Sequence, residues 1–392
     1  MSYRKLKADY LFDGHNMRGT EAVLICRLDG TIEKISDENE AGSDLEIFSG
    51  MLVPGFINCH CHLELSHLKG QIPPDQGLVN FLLSVIKQRY QPEEIRKEAI
   101  RNAEEKMLQS GIVAVGDICN TIDTGDLKSL KHLLYYNFIE LLGWTPEQAS
   151  SRYEEAESLA EQFKKMGLDG KHLSLNPHAP YSVSGELWNL MKPGFKTKTV
   201  TIHNQESAAE NEFFMSGKGD LVRLYAHLKM NTDHFKIPAT RSLVYYLSEF
   251  KDASRIMLVH NTFINEEDIL ETFPFRDKLF FCLCPNANMF IEGRLPDVLL
   301  LRKHNAALVF GTDSLASNHQ LNILEEIKMV KKNFPSIPSA ELLVWATSNG
   351  AKVLSFEPDL GDFVKGKKPG IVQIDNIRKG EITELSTSRR LI

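Results

Sequence analysis

The amino-acid sequence predicts an α/β fold in which a closed (β/α)8 TIM barrel carries a small β-sandwich domain. Eight short apolar runs rich in branched residues alternate with longer helical patterns, which is typical of repeated βα units around a parallel sheet. Both ends of the chain show short alternating segments punctuated by glycine, and neither end could bury a core alone. We therefore predict that residues 1–51 and 355–392 together form the sandwich, and that residues 52–354 form the barrel.

The individual elements follow from local patterns. Apolar spacing and early acidic residues predict amphipathic helices at Pro92–Gln109 and Ser151–Lys165. In the C-terminal segment, the glycine-marked run Gly370–Asp375 predicts a strand of the small domain. The predicted barrel strands are Leu52–Asn58, Ile112–Asp117, Leu134–Leu141, His172–Asn176, Thr199–His203, Ile256–His260, Leu279–Cys284 and Ala307–Phe310.

The composition indicates a globular protein whose partner is a small molecule. The chain has 392 residues, of which 42% are hydrophobic, and a formal net charge of -7. This charge does not suit a nucleic acid or an anionic membrane, either of which would call for a clustered basic face. The segment Met1–Tyr10 lacks the apolar core of a secretory signal, and no apolar run approaches the roughly 20 residues of a membrane span. We therefore expect a cytoplasmic protein.

The cysteines are scattered through the chain and do not form a disulfide framework, so we expect them to be reduced. Cys59 and Cys61 alternate with two histidines, which makes thiolate ligation of a metal one alternative. Successive residues of a strand face opposite sides, so the two thiols are expected to point away from the imidazoles. We therefore interpret them, like Cys282 and Cys284, as small buried apolar residues.

Polar side chains end several predicted barrel strands, where the catalytic groups of such barrels lie. His60 and His62 are two residues apart on one strand and therefore present both imidazoles to the same face. His203 ends the fifth strand, and Asp313 follows the eighth. Three imidazoles and a carboxylate suit Zn, with Fe and Mn as alternatives. The sequence therefore predicts a metal site formed by these four residues.

Each of three further residues near strand ends has two possible roles, one in catalysis or substrate binding and one in the structure. Glu206 lies three residues beyond His203 and could be the general base of a hydrolysis, or it could cap the following helix. His260 could be a second acid–base group or a buried histidine satisfied by hydrogen bonds. His178 lies between two prolines and could be a substrate-orienting donor or a loop residue with a structural hydrogen bond.

The motifs that carry these residues, and their order, resemble the amidohydrolase superfamily. The resemblance is strongest to the branch of guanine, adenosylhomocysteine and aminodeoxyfutalosine deaminases and triazine chlorohydrolases. It spans nearly the whole chain. The motifs are PGFINCHCH at Pro54–His62, HAPYSVS at His178–Ser184, IHNQE at Ile202–Glu206, VHN at Val259–Asn261, CPNAN at Cys284–Asn288, GTDSLASN at Gly311–Asn318, ATSNGAKVL at Ala346–Leu354 and GKKPGIVQID at Gly366–Asp375.

The resemblance implies a function for the predicted site. It implies one divalent metal with the four ligands named above, with Glu206 and His260 as the proton-transfer pair and Asp313 also holding the attacking oxygen. Relatives with two metals carry a lysine at the end of the fourth strand, where this chain reads Ser174-Leu175-Asn176-Pro177-His178 with Lys171 at the opposite end, so a mononuclear site is expected. The family also leads us to expect a possible homodimer.

The expected reaction is hydrolytic deamination of an amino-substituted heterocycle. The segment His62–Gly70 looks most like deaminases of aminodeoxyfutalosine and of adenosine derivatives, so an aminopurine nucleoside is the expected substrate. In that case Glu64 and His67 could contact its sugar. The alternatives are hydrolysis of a ring amide, as in imidazolonepropionase, displacement of chloride from a triazine, and a catalytically silent barrel that acts as a binding module.

Overall fold

The computed structural model describes residues 3–392, and its strands belong to a small sheet and to a barrel. In chain order the strands are β1 Tyr3–Phe12, β2 Met17–Arg18, β3 Ala22–Arg27, β4 Ile32–Asp37, β5 Glu46–Pro54, β6 Phe56–Cys61, β7 Ile112–Cys119, β8 Leu134–Leu141, β9 Leu173–Pro177, β10 Thr199–Asn204, β11 Arg255–His260, β12 Leu279–Leu283, β13 Ala307–Phe310, β14 Ile371–Asp375 and β15 Thr387–Arg390.

Helices follow most barrel strands, as βα units require. Within residues 3–392, none of them is both long enough and apolar enough to cross a membrane. The helices are α1 Glu38–Ala41, α2 Gly77–Gln88, α3 Glu93–Ser110, α4 Gly125–Ser129, α5 Ala149–Lys165, α6 Gly185–Met191, α7 Ala208–Ser216, α8 Asp220–His227, α9 Ser242–Tyr246, α10 Glu266–Glu271, α11 Pro285–Glu292, α12 Val298–Lys303, α13 Ile323–Asn333, α14 Ser339–Ala346 and α15 Ser348–Val353.

The two ends of the chain share one seven-stranded sheet, in the order β15-β14-β5-β1-β3-β4 with β2 paired to β1. The C-terminal strand β14 runs antiparallel to β5, with Val372 opposite Val53. The prediction that the termini combine into a small β-domain is therefore confirmed. Strand β5 crosses the expected boundary at residue 51, and the exact domain limits stay a prediction.

The barrel consists of two four-stranded parallel sheets, β6-β7-β8-β9 and β10-β11-β12-β13. At one junction, the backbone N–H of His203 donates to the carbonyl oxygen of His178 at 2.9 Å. At the other junction, the N–H groups of Thr312 and Asp313 donate to the carbonyl oxygen of His60. These contacts close the eight strands into a ring, so the predicted (β/α)8 barrel is confirmed.

The first barrel strand differs from its prediction in position and in regularity. The predicted run Leu52–Asn58 is divided at Gly55, where a Cβ atom would lie 2.3 Å from the Val113 side chain. The residues before this glycine belong to the small sheet, and the barrel strand β6 begins after it. The pairing of β6 with β7 then shifts register between Asn58 and Cys61, as a bulge does.

This irregularity changes where the thiols point. Cys61 packs in the hydrophobic cluster that includes Met107 of α3, outside the barrel strands, as expected. Cys59 instead packs with Met257, Val259 and Cys282, which come from strands of the other half of the barrel. The expectation that both thiols point away from the imidazoles was therefore wrong for Cys59. It assumed strict alternation, which the bulge interrupts.

A buried ion pair supports the strand that carries the metal motif. Lys128 Nζ lies 2.6 Å from Asp117 Oδ2, and both side chains are fully buried. Asp117 Oδ1 accepts a hydrogen bond from the backbone N–H of Leu63, directly after the HCH motif. The lysine also donates to Asn137 Oδ1 at 2.8 Å. The pair therefore links β7 and β8 to the end of β6.

We predict that Lys128→Met lowers the free energy of unfolding by about 3–5 kcal/mol, because it leaves the Asp117 carboxylate buried without its cation. Urea denaturation followed by circular dichroism measures the change. The control is Lys97→Met, which removes an exposed pair with Glu93 and should cost at most about 1 kcal/mol. Equal losses in the two variants would show that the buried pair has no special role.

Candidate metal centre and active-site cavity

Five predicted side chains meet at one end of the barrel. His60 is the penultimate residue of β6 and His62 directly follows that strand, His203 is the penultimate residue of β10, His260 ends β11, and Asp313 lies just after β13. Parallel strands place their carboxyl ends on one side of a barrel, so residues far apart in sequence share a site. All five line the same cavity or lie directly beneath it.

The distances between these groups are short enough for one cation. His62 Nε2 lies 3.3 Å from His203 Nε2. Asp313 Oδ1 lies 3.5 Å from His60 Nε2 and 3.4 Å from His62 Nε2. One ligand atom from each of His60, His203, His260 and Asp313 falls within 4.8 Å of the others. The compact quartet therefore contains His260, and His62 lies against two of its members.

The protonation of these groups suits a divalent ion. Burial lowers the pKa of His62 to about 3, so its imidazole is neutral, the form that binds metal. Burial alone would raise the pKa of Asp313, but the neighbouring imidazoles hold that pKa well below its usual value. Neither ring nitrogen of the buried His60 has a hydrogen-bond partner. Such an orphaned group needs an explanation, and a metal supplies one, so the residues fit a His/His/His/Asp metal site.

Glu206 and His260 face each other beside this cluster. Glu206 Oε1 lies 3.5 Å from His260 Nε2, while His260 Nδ1–H donates to Asn288 Oδ1 at 2.9 Å. Burial and the nearby Asp313 charge raise the pKa of Glu206 well above its usual value. Glu206 lines the cavity, and the following helix α7 begins at Ala208, after an N-cap residue Ser207 that makes no side-chain cap. This arrangement favours the hypothesis that Glu206 transfers protons over the hypothesis that it caps a helix.

A strained turn positions Glu206. The preceding residue, Gln205, has a left-handed backbone with φ of 46°, which is unfavourable for a residue with a side chain. Its buried side chain donates to Asp268 Oδ2 at 2.9 Å, and its backbone N–H donates to Glu210 Oε1 at 3.0 Å. These bonds fix the turn, so that the carboxyl group of Glu206 points to the cavity.

His178 lies beside the cluster. Its Nδ1 atom is 2.8 Å from Ser182 Oγ, which supports the structural reading, and its ring also lines the cavity. Its carbonyl oxygen accepts a 2.7 Å hydrogen bond from His203 Nδ1–H and so orients that imidazole with Nε2 toward the cluster. Burial lowers the pKa of His178 to about 4.

Glu64 and His67 line an adjoining cavity instead of the one that holds the cluster. Glu64 Oε2 accepts three hydrogen bonds of 3.0 Å, from both N–H and Oγ1 of Thr121 and from the N–H of Asn120. Its Oε1 atom pairs with Arg89 at 3.3 Å. The ring nitrogens of His67 both contact backbone carbonyl oxygens. Direct contacts of these two residues with a substrate stay a prediction.

The main cavity has a volume of about 420 Å³, with the histidine cluster at one end. Apolar side chains of α2 and α8, among them Phe81, Val85 and Leu224, form much of its wall. Trp144 also lines it and stacks on Tyr225 with ring centroids 4.8 Å apart. A cleft of this size, mostly apolar with polar groups at one end, is typical of a site for a small organic molecule.

The sequence reasoning missed Glu140, which lines both cavities. It is the penultimate residue of β8, and burial raises the pKa of its carboxyl group to about 7. The signal was a single acidic residue in the otherwise largely apolar run LYYNFIEL. In that run Tyr136 and Phe138 face the barrel interior, so Glu140, two residues on, faces it as well.

Comparisons with known proteins agree with this geometry. The family model described as "Amidohydrolase family" matches residues 51–389. A curated relative named adenosine deaminase, from Helicobacter pylori, is 29% identical over 316 residues, which cover 78% of this chain and 75% of that protein.

Solved structures show the same likeness. The Helicobacter pylori aminofutalosine deaminase in complex with methylthio-coformycin superposes with a TM-score of 0.81 at 25% identity, over 96% of this chain and 93% of that one. An adenosine deaminase from Xanthomonas campestris with bound zinc shares the fold, with a TM-score of 0.70 and 20% identity over 95% of this chain and 84% of that one. With the family model covering most of its length, the chain belongs to the amidohydrolase family and is a metal-dependent enzyme that acts on carbon–nitrogen bonds.

Proposed function

We propose that this enzyme hydrolytically deaminates an aminopurine nucleoside, such as adenosine, aminodeoxyfutalosine or another adenosine derivative. The observation that carries the proposal is the buried Glu206–His260 pair, 3.5 Å apart, beside a His/His/His/Asp cluster at the end of a nucleoside-sized cavity. The similarity to the two Helicobacter pylori proteins named adenosine deaminase and aminofutalosine deaminase supports this choice of substrate.

For the metal, we propose His60, His62, His203 and Asp313 as the ligands and zinc as the ion. When bound, a divalent ion at this position acts as a Lewis acid and lowers the pKa of a water molecule toward about 7. His260 is left out of the ligand set because its Nδ1–H is held by Asn288, so that Nε2 can face Glu206. The bound zinc of the Xanthomonas campestris relative supports this choice of ion.

The chain's own residues move the protons. Glu206 takes a proton from the attacking water at a carboxylate oxygen and delivers it to a ring nitrogen of the purine. Asp313 and His260 hold the attacking oxygen and stabilise the charge that develops. A carbon–oxygen bond forms, and Glu206 then passes the hydroxyl proton of the tetrahedral intermediate to the amino group, whose bond to carbon breaks as it leaves as ammonia. The apolar wall formed by α2 and α8 shields the reacting groups from bulk water.

A substrate panel tests the reaction class. We predict that zinc-loaded enzyme releases ammonia from adenosine, 5′-deoxyadenosine or aminodeoxyfutalosine faster than from guanine, a pterin, imidazolonepropionate or a chlorotriazine. Ammonia assay, with chloride and ring-opening assays in parallel, measures this. Chloride release or ring opening without ammonia would assign the runner-up hydrolase functions. Absence of all three would point to a binding module.

We predict that Glu206→Gln retains the metal and lowers kcat by about 10²- to 10⁴-fold, because the amide can neither accept the water's proton nor deliver it. Steady-state kinetics and metal analysis of the same preparation measure both effects. The matched control is Glu212→Gln, an exposed residue of the next helix, which should leave both values unchanged. Loss of metal in the Glu206 variant would contradict its role as a proton carrier.

A further inference from the structure

The proton-transfer scheme leaves one buried acidic residue of the cavity unused. The Glu140 side chain is only 4% exposed and lies next to the histidine cluster, with its Oε1 atom 3.7 Å from His203 Nδ1. Strand alternation explains the position, because Ile139 and Leu141 pack outward while Glu140 faces inward. A carboxyl group there is costly to bury and calls for a partner.

One oxygen of Glu140 has such a partner and the other does not. Oε2 accepts a hydrogen bond from Asn120 Nδ2 at 3.1 Å. Oε1 is too far from His203 Nδ1 for a hydrogen bond, and that N–H is already donated to the carbonyl oxygen of His178 at 2.7 Å. Oε1 therefore keeps its acceptor capacity for a group that enters the cavity.

A second metal is a poor candidate for this partner. Glu140, His178 and His203 do place three potential ligand atoms within 4.8 Å of one another. However, His203 Nδ1 carries the hydrogen that it donates to His178 O, and His203 Nε2 faces the first cluster, which leaves only Glu140 and His178 for a second ion. A ring nitrogen that donates a hydrogen bond cannot bind a cation at the same time.

A hydroxyl group of the substrate fits better. The opening beside Glu140 leads from the cluster toward the adjoining cavity, and Asn120 and Arg89 line both spaces. A nucleoside whose base reaches the cluster extends its sugar away from it, and the side beside Glu140, Asn120 and Arg89 offers polar groups for the sugar's hydroxyls. Carboxylates are strong acceptors for hydroxyl groups because the bond is charge-assisted.

We propose that Glu140 Oε1 accepts a hydrogen bond from a 2′- or 3′-hydroxyl group of the substrate's sugar and thereby selects ribonucleosides. This inference rests on the proposed function and deepens it, because it names the residue that recognises the sugar of the substrate. Asn120 positions the carboxyl group by binding its other oxygen. Glu64, whose Oε2 atom accepts three hydrogen bonds, holds Arg89 through its Oε1 atom.

The test is a cycle of enzyme and substrate changes, measured as kcat/KM for adenosine, 2′-deoxyadenosine and 3′-deoxyadenosine. We expect the wild type to prefer adenosine over at least one analogue by about 10- to 100-fold, the range for a hydrogen bond to a charged group. In E140Q the amide oxygen would turn to Asn120 Nδ2, leaving an NH2 group toward the sugar. That neutral NH2 group can still donate to a hydroxyl oxygen, so E140Q should lose only part of the preference. E140A has no polar group there and should bring the preference below about 3-fold, with unchanged metal content.

Two controls complete the experiment. Glu155→Gln, an exposed acidic residue of the adjoining cavity, should keep the full preference. Far-UV circular dichroism checks that E140A and E140Q fold like the wild type. If the wild type deaminates adenosine but shows no preference, or if E140A keeps the preference or loses its metal, only the role of Glu140 is overturned. If the wild type deaminates none of these three nucleosides and neither 5′-deoxyadenosine nor aminodeoxyfutalosine, the proposed function fails as well.

Discussion

Burial of ionisable side chains at one end of the barrel is the constraint on which the rest of the site depends. Removing an imidazole or a carboxylate from water costs free energy unless a partner or an ion compensates for it. Burial keeps the imidazole of His62 neutral, with its pKa near 3, and makes the Glu206 carboxylate more basic by raising its pKa. Neutral nitrogens that bind a cation, and a carboxylate basic enough to take a proton from water, are what hydrolysis requires.

The backbone carries strain at the same place. His260, Asn261 and Asp313 have left-handed φ values of 72°, 59° and 56°, where each strand gives way to its loop. Such a conformation costs about 1–2 kcal/mol per residue outside glycine. Buried hydrogen bonds hold it in place, for example from Asn261 Nδ2 to the carbonyl oxygens of Leu258 and Cys282. Strained backbone conformations cluster at active sites because they can orient side chains in directions that a regular strand does not allow.

Much of the fold could be read from the sequence, because periodic apolar runs determine where strands and helices form. The strand Leu134–Leu141 has the bounds that its pattern predicts. The division at Gly55 and the bulge in β6 could not be predicted, since both arise from contacts with distant segments. The strand-end polar residues were found because they follow apolar runs. Glu140 was missed because it lies within one, and Arg89 because it lies on no predicted strand.

The central claim is that one metal is held by three imidazoles and Asp313, and X-ray absorption at the zinc edge tests it most directly. Enzyme loaded with one equivalent of zinc should show only nitrogen and oxygen neighbours at about 2.0–2.2 Å, with the scattering pattern of three histidines. The spectrum should not change in Cys59→Ala, although that thiol shares the barrel interior with His60. A sulfur neighbour near about 2.3 Å, or fewer than three imidazoles, would contradict the account.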